Sequence, residues 1–225
     1  MPQAATIKTM FNRVSKSYDI LNDILSLGIH RLWKKSLINE ALKDSPQSLL
    51  DCATGTGDIA IWAKEQNPQV AITGIDFSPG MLEIAKSKTS DIDWQVADIM
   101  NLQMSDNQYE CTTISYGIRN VENLDKGLQE LSRVTRKKLC ILEFGAPTNK
   151  IFAAIYFGFM DVFMPLLGLC FGKKSDYKYL VDSSKKFPSG AQFVQIMQQN
   201  TSFTDITYRP YFGGITYLYT AQNKQ

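Results

Sequence analysis

The chain has 225 residues, of which 44% are hydrophobic and 20% charged, a globular composition that excludes a disordered chain and is too short for two large domains. Lysine and arginine number 24 against 22 acidic residues, so the net charge is +2, and we expect no nucleic-acid partner, because such proteins carry a strong basic excess. With one histidine, His30, a histidine-based metal cluster is impossible, and we expect no metal.

The cysteines and the first residues indicate a cytoplasmic protein. The four cysteines lie far apart within apolar runs, which is typical of buried free thiols in a reducing compartment. Residues 1–10 lack the apolar core of a signal peptide, so we expect no export.

Residues 1–45 are predicted to be helical. Apolar residues between Ile7 and Leu25 recur at spacings of three and four, which places them on one face of a helix that Gly28 ends. A second stripe of the same kind runs from Ile29 to Leu42.

Between residues 48 and 145, short β-type runs alternate with helical patterns. This alternation predicts a parallel sheet covered by helices on both faces, and right-handed crossovers make it doubly wound. A helix after the second strand should begin at Pro79, with Ser78 as its N-cap. The predicted strands are 48–53, 70–77, 93–98, 112–117 and 139–144.

The stretch 151–171 is largely apolar and long enough to cross a membrane, but Asp161 and Pro165 interrupt it. A charge at the centre of a bilayer costs about 3 kcal/mol on insertion scales. We therefore favour a partly buried or membrane-contacting segment over a spanning helix. Three lysines just beyond it could contact anionic headgroups, so peripheral membrane contact is a hypothesis.

The C-terminal part predicts a helix at 191–199 and a hairpin. Two alternating runs, 206–208 and 215–221, are separated by Gly213-Gly214. The whole pattern predicts an α/β fold with a Rossmann-like, doubly wound, mostly parallel seven-stranded sheet, N-terminal helices and an antiparallel C-terminal hairpin.

A glycine loop after the first predicted strand carries the main functional signal. Gly55 and Gly57 lie where a strand should turn into a helix, and glycines there let the backbone approach a ligand. Asp76 ends the second predicted strand, where a carboxylate binds a ribose diol. Nicotinamide-dependent oxidoreductases and S-adenosylmethionine-dependent enzymes share this pattern.

Acidic residues near the loop favour S-adenosylmethionine. Asp51 and Asp58 suit a sulfonium and its amino group better than a pyrophosphate, and Asp98 could reach the adenine amino group from the end of the third strand. The antiparallel ending and the lack of a separate substrate domain fit a dehydrogenase poorly. For Asp58 alone, capping of the following helix is the favoured role.

Several separated sequence blocks form an ordered pattern along nearly the whole chain. The most specific is Ile114-Ser115-Tyr116-Gly117-Ile118-Arg119-Asn120-Val121. Together the blocks resemble the class I S-adenosylmethionine-dependent methyltransferases, and within them the family of demethylmenaquinone methyltransferase and 2-polyprenyl-6-methoxybenzoquinol methylase. The other blocks are 10–14, 18–23, 28–34, 50–58, 177–180 and 187–190.

The resemblance implies S-adenosylmethionine as cofactor and assigns contacts with it to five positions, which are Thr56, Asp76, Asp98, Ile99 and Ser115. The pattern of the loop adds Asp51, Gly55 and Gly57 to the candidate cofactor-binding residues. The family's Lys-Pro-Gly-Gly turn before the fifth strand is replaced here by Thr135-Arg136-Lys137-Lys138, where we expect a changed loop rather than lost activity.

The resemblance also implies that a quinol is methylated at a ring carbon. Ring carbons of a neutral phenol are poor nucleophiles, so the site needs a proton acceptor near the hydroxyl and a group that stabilises the oxyanion. The resemblance assigns this work to Arg119, Asn120 and a tyrosine that matches Tyr18. Because arginine is too basic to be the base itself, we expect Arg119 to orient a water or stabilise the phenolate. A surface ion pair for Arg119 and helix packing for Tyr18 are the alternatives.

We expect one methyltransferase domain over 1–225 that methylates a polyprenyl quinol in menaquinone or ubiquinone biosynthesis. Methylation of another small phenol or lipid, and a non-enzymatic quinone-binding role, stay open as alternatives; a homodimer is a further hypothesis. The expected parts are N-terminal helices that cover the substrate (1–45), a cofactor-binding core (48–145), an apolar substrate-side insertion (146–190) and a final helix with the hairpin (191–225).

Overall fold

The structure, a computed structural model, describes residues 28–171 and 182–223. The strands are β1 (Ser48–Cys52), β2 (Ala71–Asp76), β3 (Asp93–Val96), β4 (Tyr109–Ser115), β5 (Thr135–Phe144), β6 (Asp205–Tyr211) and β7 (Thr216–Gln222). The main helices are α1 (Ile29–Leu42), α2 (Asp58–Gln66), α3 (Pro79–Lys88), α4 (Leu124–Val134), α5 (Lys150–Phe171) and α6 (Ala191–Asn200).

The strands form one seven-stranded sheet in the order β3-β2-β1-β4-β5-β7-β6. Strands β1 to β5 pair in parallel, whereas β7 is antiparallel to both β5 and β6. The predicted Rossmann-like sheet and its C-terminal hairpin are therefore confirmed. The hairpin turns at Gly213 and Gly214, which have φ angles of 68° and 98°, a region that glycine adopts without steric cost.

Successive side chains of the central strands enter two separate hydrophobic clusters. On β1, Leu49 packs with Leu37 of α1 on one face, while Leu50 packs with Leu128 of α4 on the other. Because side chains alternate along a strand, one continuous apolar run supplies both faces of a sheet that helices cover on each side. The carboxyl ends of β1 to β4 are consequently held at one rigid edge.

The N-terminus of α3 has the predicted cap. The hydroxyl of Ser78 accepts a hydrogen bond from the amide of Met81 at 3.3 Å, and Pro79 occupies the first helical position. This arrangement satisfies one of the helix amides that would otherwise lack a partner.

Residues Thr135–Lys138 are the first residues of β5, so the expectation of a changed loop there was wrong. Helix α4 ends at Val134 and the strand begins at the next residue. The hydroxyl of Thr135 donates to the carbonyl of Leu131 at 2.5 Å. The charges of this polar segment are neutralised by partners on other elements, because Arg136 pairs with Glu110 and Lys138 with Asp44.

Three further expectations concern the ends of the chain and the apolar segment. The segment 151–171 lies within α5, a helix of 22 residues. Within residues 28–171 and 182–223, no helix is long and apolar enough to cross a membrane. The helix predicted between Ile7 and Leu25, which includes Tyr18, lies outside the described residues.

We predict that Gly74→Ala destabilises the fold. Gly74 pairs with Trp94 across β2 and β3, and a Cβ atom at Gly74 would lie 2.4 Å from the indole ring. Overpacking of this kind costs about 1–3 kcal/mol, which urea unfolding followed by circular dichroism would measure. Gly158→Ala on α5 is the control: a Cβ there meets no atom within 4 Å, so the helix should gain about 1 kcal/mol. Equal stability of the two variants would contradict the packing argument.

Candidate functional site

The loop between β1 and α2 is held by the buried side chain of Asp51. The Asp51 side chain accepts hydrogen bonds from the hydroxyl of Thr54 at 2.5 Å and from that of Thr113 on β4 at 2.7 Å. Burial raises the pKa of Asp51 to about 6, although both hydroxyl groups oppose this shift. The predicted cofactor residue Asp51 is thus also a structural link between β1, the loop and β4.

Gly55 and Gly57 give the loop its path. Their φ angles are 58° and 89°, in the left-handed region that disfavours other residues. A Cβ atom on Gly57 would also lie 2.6 Å from the ring of Trp94. Gly57 is the N-cap of α2, so the loop leads directly into that helix N-terminus.

Asp76, at the end of β2, ties the loop to the next strand. One carboxylate oxygen accepts from the amide of Gly55 at 2.9 Å, and the other accepts from the amide of Ser78 at 2.8 Å. Burial raises the pKa of Asp76, and these backbone donors oppose the shift. The carboxylate therefore sits between the glycine loop and the N-terminus of α3, where both oxygens retain lone pairs for a ligand.

Two adjoining cavities follow this edge of the sheet. The loop cavity lies against the glycine loop and α1, and the edge cavity lies beyond the ends of β2 and β3; Asp76 and Asn120 line both. Seven of the eight predicted cofactor residues line one or both, and Gly57 shapes the loop instead. In the loop cavity these are Asp51, Gly55, Thr56, Asp76 and Ser115, and in the edge cavity Asp76, Asp98 and Ile99.

Ser115 supplies a polar group aimed at a ligand. It ends β4 and lines the loop cavity. Its hydroxyl oxygen is buried and makes no hydrogen bond with any other described residue. A buried hydroxyl without a partner is costly, so a bound molecule with a polar group would stabilise this position.

Asp98 and Ile99 lie just past β3, which ends earlier than predicted, at Val96. The carboxylate of Asp98 accepts from the amide of Met100 at 2.9 Å and remains exposed to the edge cavity. Apolar side chains, among them Val96, Ile99 and Val121, also line this cavity. This combination suits a flat heterocycle with an amino group.

Arg119 and Asn120 occupy different environments. Arg119 is buried, and its guanidinium forms an ion pair with Glu143 of β5 and donates to the carbonyl of Tyr116 at 3.0 Å. Its guanidinium carbon also lies 5.3 Å from the centroid of the Phe144 ring. The alternative of a surface ion pair for Arg119 is therefore wrong: the pair is internal. Asn120 instead lines both cavities.

Asp58 lies in the first turn of α2, where a negative charge suits the helix N-terminus, but it is not the N-cap residue. That position belongs to Gly57, which has no side chain to accept a hydrogen bond. The Asp58 carboxylate instead pairs with Lys34 at 2.9 Å and Lys88 at 3.3 Å. Burial raises its pKa, but the two ammonium groups outweigh burial and hold the pKa below its ordinary value.

Three residues at this site had no role predicted from the sequence: Lys34, Tyr116 and Glu143. Tyr116 lines the loop cavity, has a φ angle of 56° and stacks on Phe144 with ring centroids 4.2 Å apart. A bulky residue with a positive φ angle is uncommon, and such residues cluster at functional sites. The sequence does hold a sign of the role of Glu143, because it is a charged residue inside an apolar strand. A charge buried in this way requires a partner.

The comparisons with known proteins decide the family. A family model described as the ubiE/COQ5 methyltransferase family matches residues 2–223. The chain belongs to this family. The "Ubiquinone/menaquinone biosynthesis C-methyltransferase UbiE" of Bdellovibrio bacteriovorus is 39% identical to it over 225 residues, covering 97% of this chain and 96% of the relative. The "Demethylmenaquinone methyltransferase" of Deinococcus radiodurans is 37% identical, covering 85% and 83% of the two chains.

A solved structure confirms the fold of this methyltransferase. The S-adenosylmethionine-dependent methyltransferase of Thermotoga maritima superimposes with a TM-score of 0.65 at 16% identity, covering 96% of this chain and 99% of the other. The family membership excludes the nicotinamide-dependent oxidoreductase that the glycine pattern had left open. The methyltransferase uses S-adenosylmethionine as its cofactor.

The site fits this cofactor on its own geometry. The buried Ser115 hydroxyl lacks a partner among the described residues, and Asp76 presents a carboxylate where two hydroxyls of a ribose could donate. The loop cavity adds further carboxylates beside the glycine loop, which suit a sulfonium and an ammonium group.

We predict that Asp51 gives the stability of the methyltransferase a pH dependence. The pKa of Asp51 is about 6 in the folded state and about 3.9 in the unfolded state, so the folded state binds the proton more tightly. The stabilisation that results from this proton is therefore present below about pH 4 and is lost as the pH rises through about 6. The free energy of unfolding of the wild type, relative to Asp51→Asn, should fall by up to about 3 kcal/mol from pH 4 to 7.5.

Urea unfolding at a series of pH values measures this difference. Asp91→Asn, at an exposed position, is the control and should follow the wild-type curve. Parallel curves for the wild type and Asp51→Asn would show that Asp51 titrates alike in both states, contrary to the prediction.

Proposed function

We propose that the protein transfers the methyl group of S-adenosylmethionine to a ring carbon of a polyprenyl quinol, as in menaquinone or ubiquinone biosynthesis. The observation that carries this proposal is the family match over residues 2–223. Relatives named for C-methylation in ubiquinone and menaquinone biosynthesis align along nearly the whole chain and support it.

The proposed cofactor orientation follows the sheet edge. Asp76 binds the ribose hydroxyls and Asp98 the adenine amino group, with Ile99 as an apolar wall. Thr56 and Ser115 then face the amino-acid end in the loop cavity. When bound, S-adenosylmethionine supplies an electrophilic methyl group on a sulfonium.

The proposed catalytic work falls on the residues after β4. Asn120, on the wall of both cavities, would hold the quinol hydroxyl next to a water, and this water would accept the hydroxyl proton. Arg119 contributes a fixed positive charge next to this position, which stabilises the phenolate that makes the ring carbon nucleophilic. Glu143 keeps the guanidinium in place. Tyr18 remains a proposed partner of this group outside the described residues.

Helix α5 is proposed as a cover over the substrate side, within a single domain that spans the chain. Burial raises the pKa of Tyr156 on α5 to about 12, and the charge of Arg119 opposes this shift. We propose that the inner face of α5, which carries Tyr156, is turned towards the buried ion pair. Phe152 anchors the same face on the hairpin turn, with its ring centroid 6.3 Å from that of Phe212. We propose that residues 146–190 and residues 1–45 enclose the quinol.

The outer face of α5 is proposed to contact a membrane surface, where a substrate with a polyprenyl tail resides. Four large apolar side chains spaced four, four and three residues apart are 58–73% exposed there. An apolar helical face of this kind inserts into the headgroup region of a bilayer. They are Ile151, Ile155, Phe159 and Val162.

The test of the proposed function is transfer of a labelled methyl group. The protein is incubated with methyl-labelled S-adenosylmethionine and a reduced lipid extract that contains demethylated naphthoquinols and benzoquinols, and mass spectrometry identifies the products. Label on a ring carbon of either quinol is the expected result, and its identity shows which quinol is used. Label in another phenol or lipid, or no label while the cofactor binds, would overturn the quinol proposal.

Asp76→Asn should lower the affinity for S-adenosylhomocysteine at least about 100-fold. An amide has one acceptor oxygen where the carboxylate has two, and its amino group would face hydrogen-bond donors of the backbone or the ribose. Calorimetry measures this affinity. Asp91→Asn, exposed and away from both cavities, should bind like the wild type. Unchanged affinity of Asp76→Asn would contradict the proposed cofactor orientation.

Ile155→Ser combined with Phe159→Ser should lower binding to vesicles of phosphatidylethanolamine and phosphatidylglycerol at least about 10-fold. The reason is that the variant lacks two apolar side chains whose transfer from water into the bilayer favours binding. Vesicle sedimentation measures the bound fraction. Leu32→Ser on α1, where the side chain is 65% exposed, is the control and should bind normally. Unchanged binding of the double variant would contradict the membrane contact.

A further inference from the structure

Lys34 of α1 is a buried cation on the wall of the loop cavity. It is 7% exposed. Its ammonium donates to Asp58 at 2.9 Å and lies 6.0 Å from the centroid of the Trp62 ring. An ammonium group has three donors, and Asp58 occupies one of them. Lysine is rarely buried without a specific partner, and the partner here, Asp58, lines the same cavity.

The position of Lys34 identifies which end of the cofactor it meets. The edge cavity, with Asp98, holds the adenosine in the orientation proposed above, so the amino-acid end extends into the loop cavity. That end carries an ammonium and a carboxylate. The loop cavity offers Asp51 and Asp58 to an ammonium, whereas among the described residues that line the two cavities Lys34 is the one cation.

We propose that Lys34 binds the carboxylate of the amino-acid end of S-adenosylmethionine, and that Asp58 holds the Lys34 ammonium in position for this contact. The assignment rests on the proposed orientation of the cofactor and is independent of the quinol substrate. Charge-assisted hydrogen bonds of this kind are among the stronger ones in proteins.

The surroundings of Asp58 are consistent with this role. Lys88, whose side chain is 33% exposed, pairs with the other oxygen of the Asp58 carboxylate at 3.3 Å. Asp58 therefore keeps a cationic partner while Lys34 shares its ammonium with a second carboxylate. Asp58 stays ionised at neutral pH, because the lysines hold its pKa below the ordinary value.

The test compares two ligands that differ only in the carboxylate. Calorimetry measures the affinity of the wild type and of Lys34→Met for S-adenosylhomocysteine and for its decarboxylated form, which keeps the ammonium. Loss of a hydrogen-bonded charge partner should weaken binding of S-adenosylhomocysteine by Lys34→Met about 10- to 100-fold. Binding of the decarboxylated ligand should change less than about threefold.

Lys35→Met is the matched control, because Lys35 is the neighbouring lysine on α1 but is exposed and does not line the cavity. It should bind both ligands like the wild type. Equal weakening of both ligands by Lys34→Met would show a structural role, and no weakening would show that Lys34 does not contact the carboxylate; either result overturns the proposal.

The decarboxylated ligand also reports whether the variant is folded. If Lys34→Met binds neither ligand and shows no cooperative unfolding, Lys34→Gln replaces it with the same two ligands and the same criteria. If the wild type itself binds neither ligand, the cofactor site rather than the role of Lys34 is refuted. Methyl transfer to a quinol plays no part in any of these readouts.

Discussion

The hydrogen bond from the amide of Gly55 to Asp76 joins the glycine loop to β2, and the geometry of the cofactor site depends on it. A carboxylate buried at the end of a strand is stable only where donors surround it. The loop amide and the amide of Ser78 at the start of α3 supply these donors. Because both donors are backbone groups, the chain has to pass close to the carboxylate, and the positive φ angle of Gly55 makes that approach possible.

A second buried charge organises the substrate side. The ion pair of Arg119 and Glu143 has 4% and 0% of its side chains exposed, and such pairs contribute little net stability because both ions lose their hydration. Its effect is geometric. Glu143 also accepts from the Arg119 amide at 3.3 Å, while the Arg119 guanidinium donates to the carbonyl of Tyr116. The turn that presents Asn120 to both cavities is therefore fixed from the strand behind it.

The sequence predicted those features that depend on residues close together in the chain. The glycine loop, the cap at Ser78, the hairpin at Gly213-Gly214 and the alternation of strands and helices follow from local patterns and are found in the structure. A changed loop was expected at residues 135–138 because they replace the family's Lys-Pro-Gly-Gly turn. Their strand conformation depends on Asp44 and Glu110, which are distant in sequence, and no local pattern reveals such partners.

The sequence predicted no role for Lys34 because its partner is also distant in the chain. It belongs to a helix whose apolar stripe predicts packing, and its ion pair with Asp58 spans 24 residues. Several polar contacts hold this helix to the rest of the protein. Three of them are Lys34 with Asp58, Ser36 with Tyr211, and Asp44 just after the helix with Lys138. Only the first of these touches the cofactor cavity. Because the other two lie away from the cavity, α1 stays fixed to the sheet whichever partner Lys34 takes, and the ammonium can serve a ligand without loosening the fold.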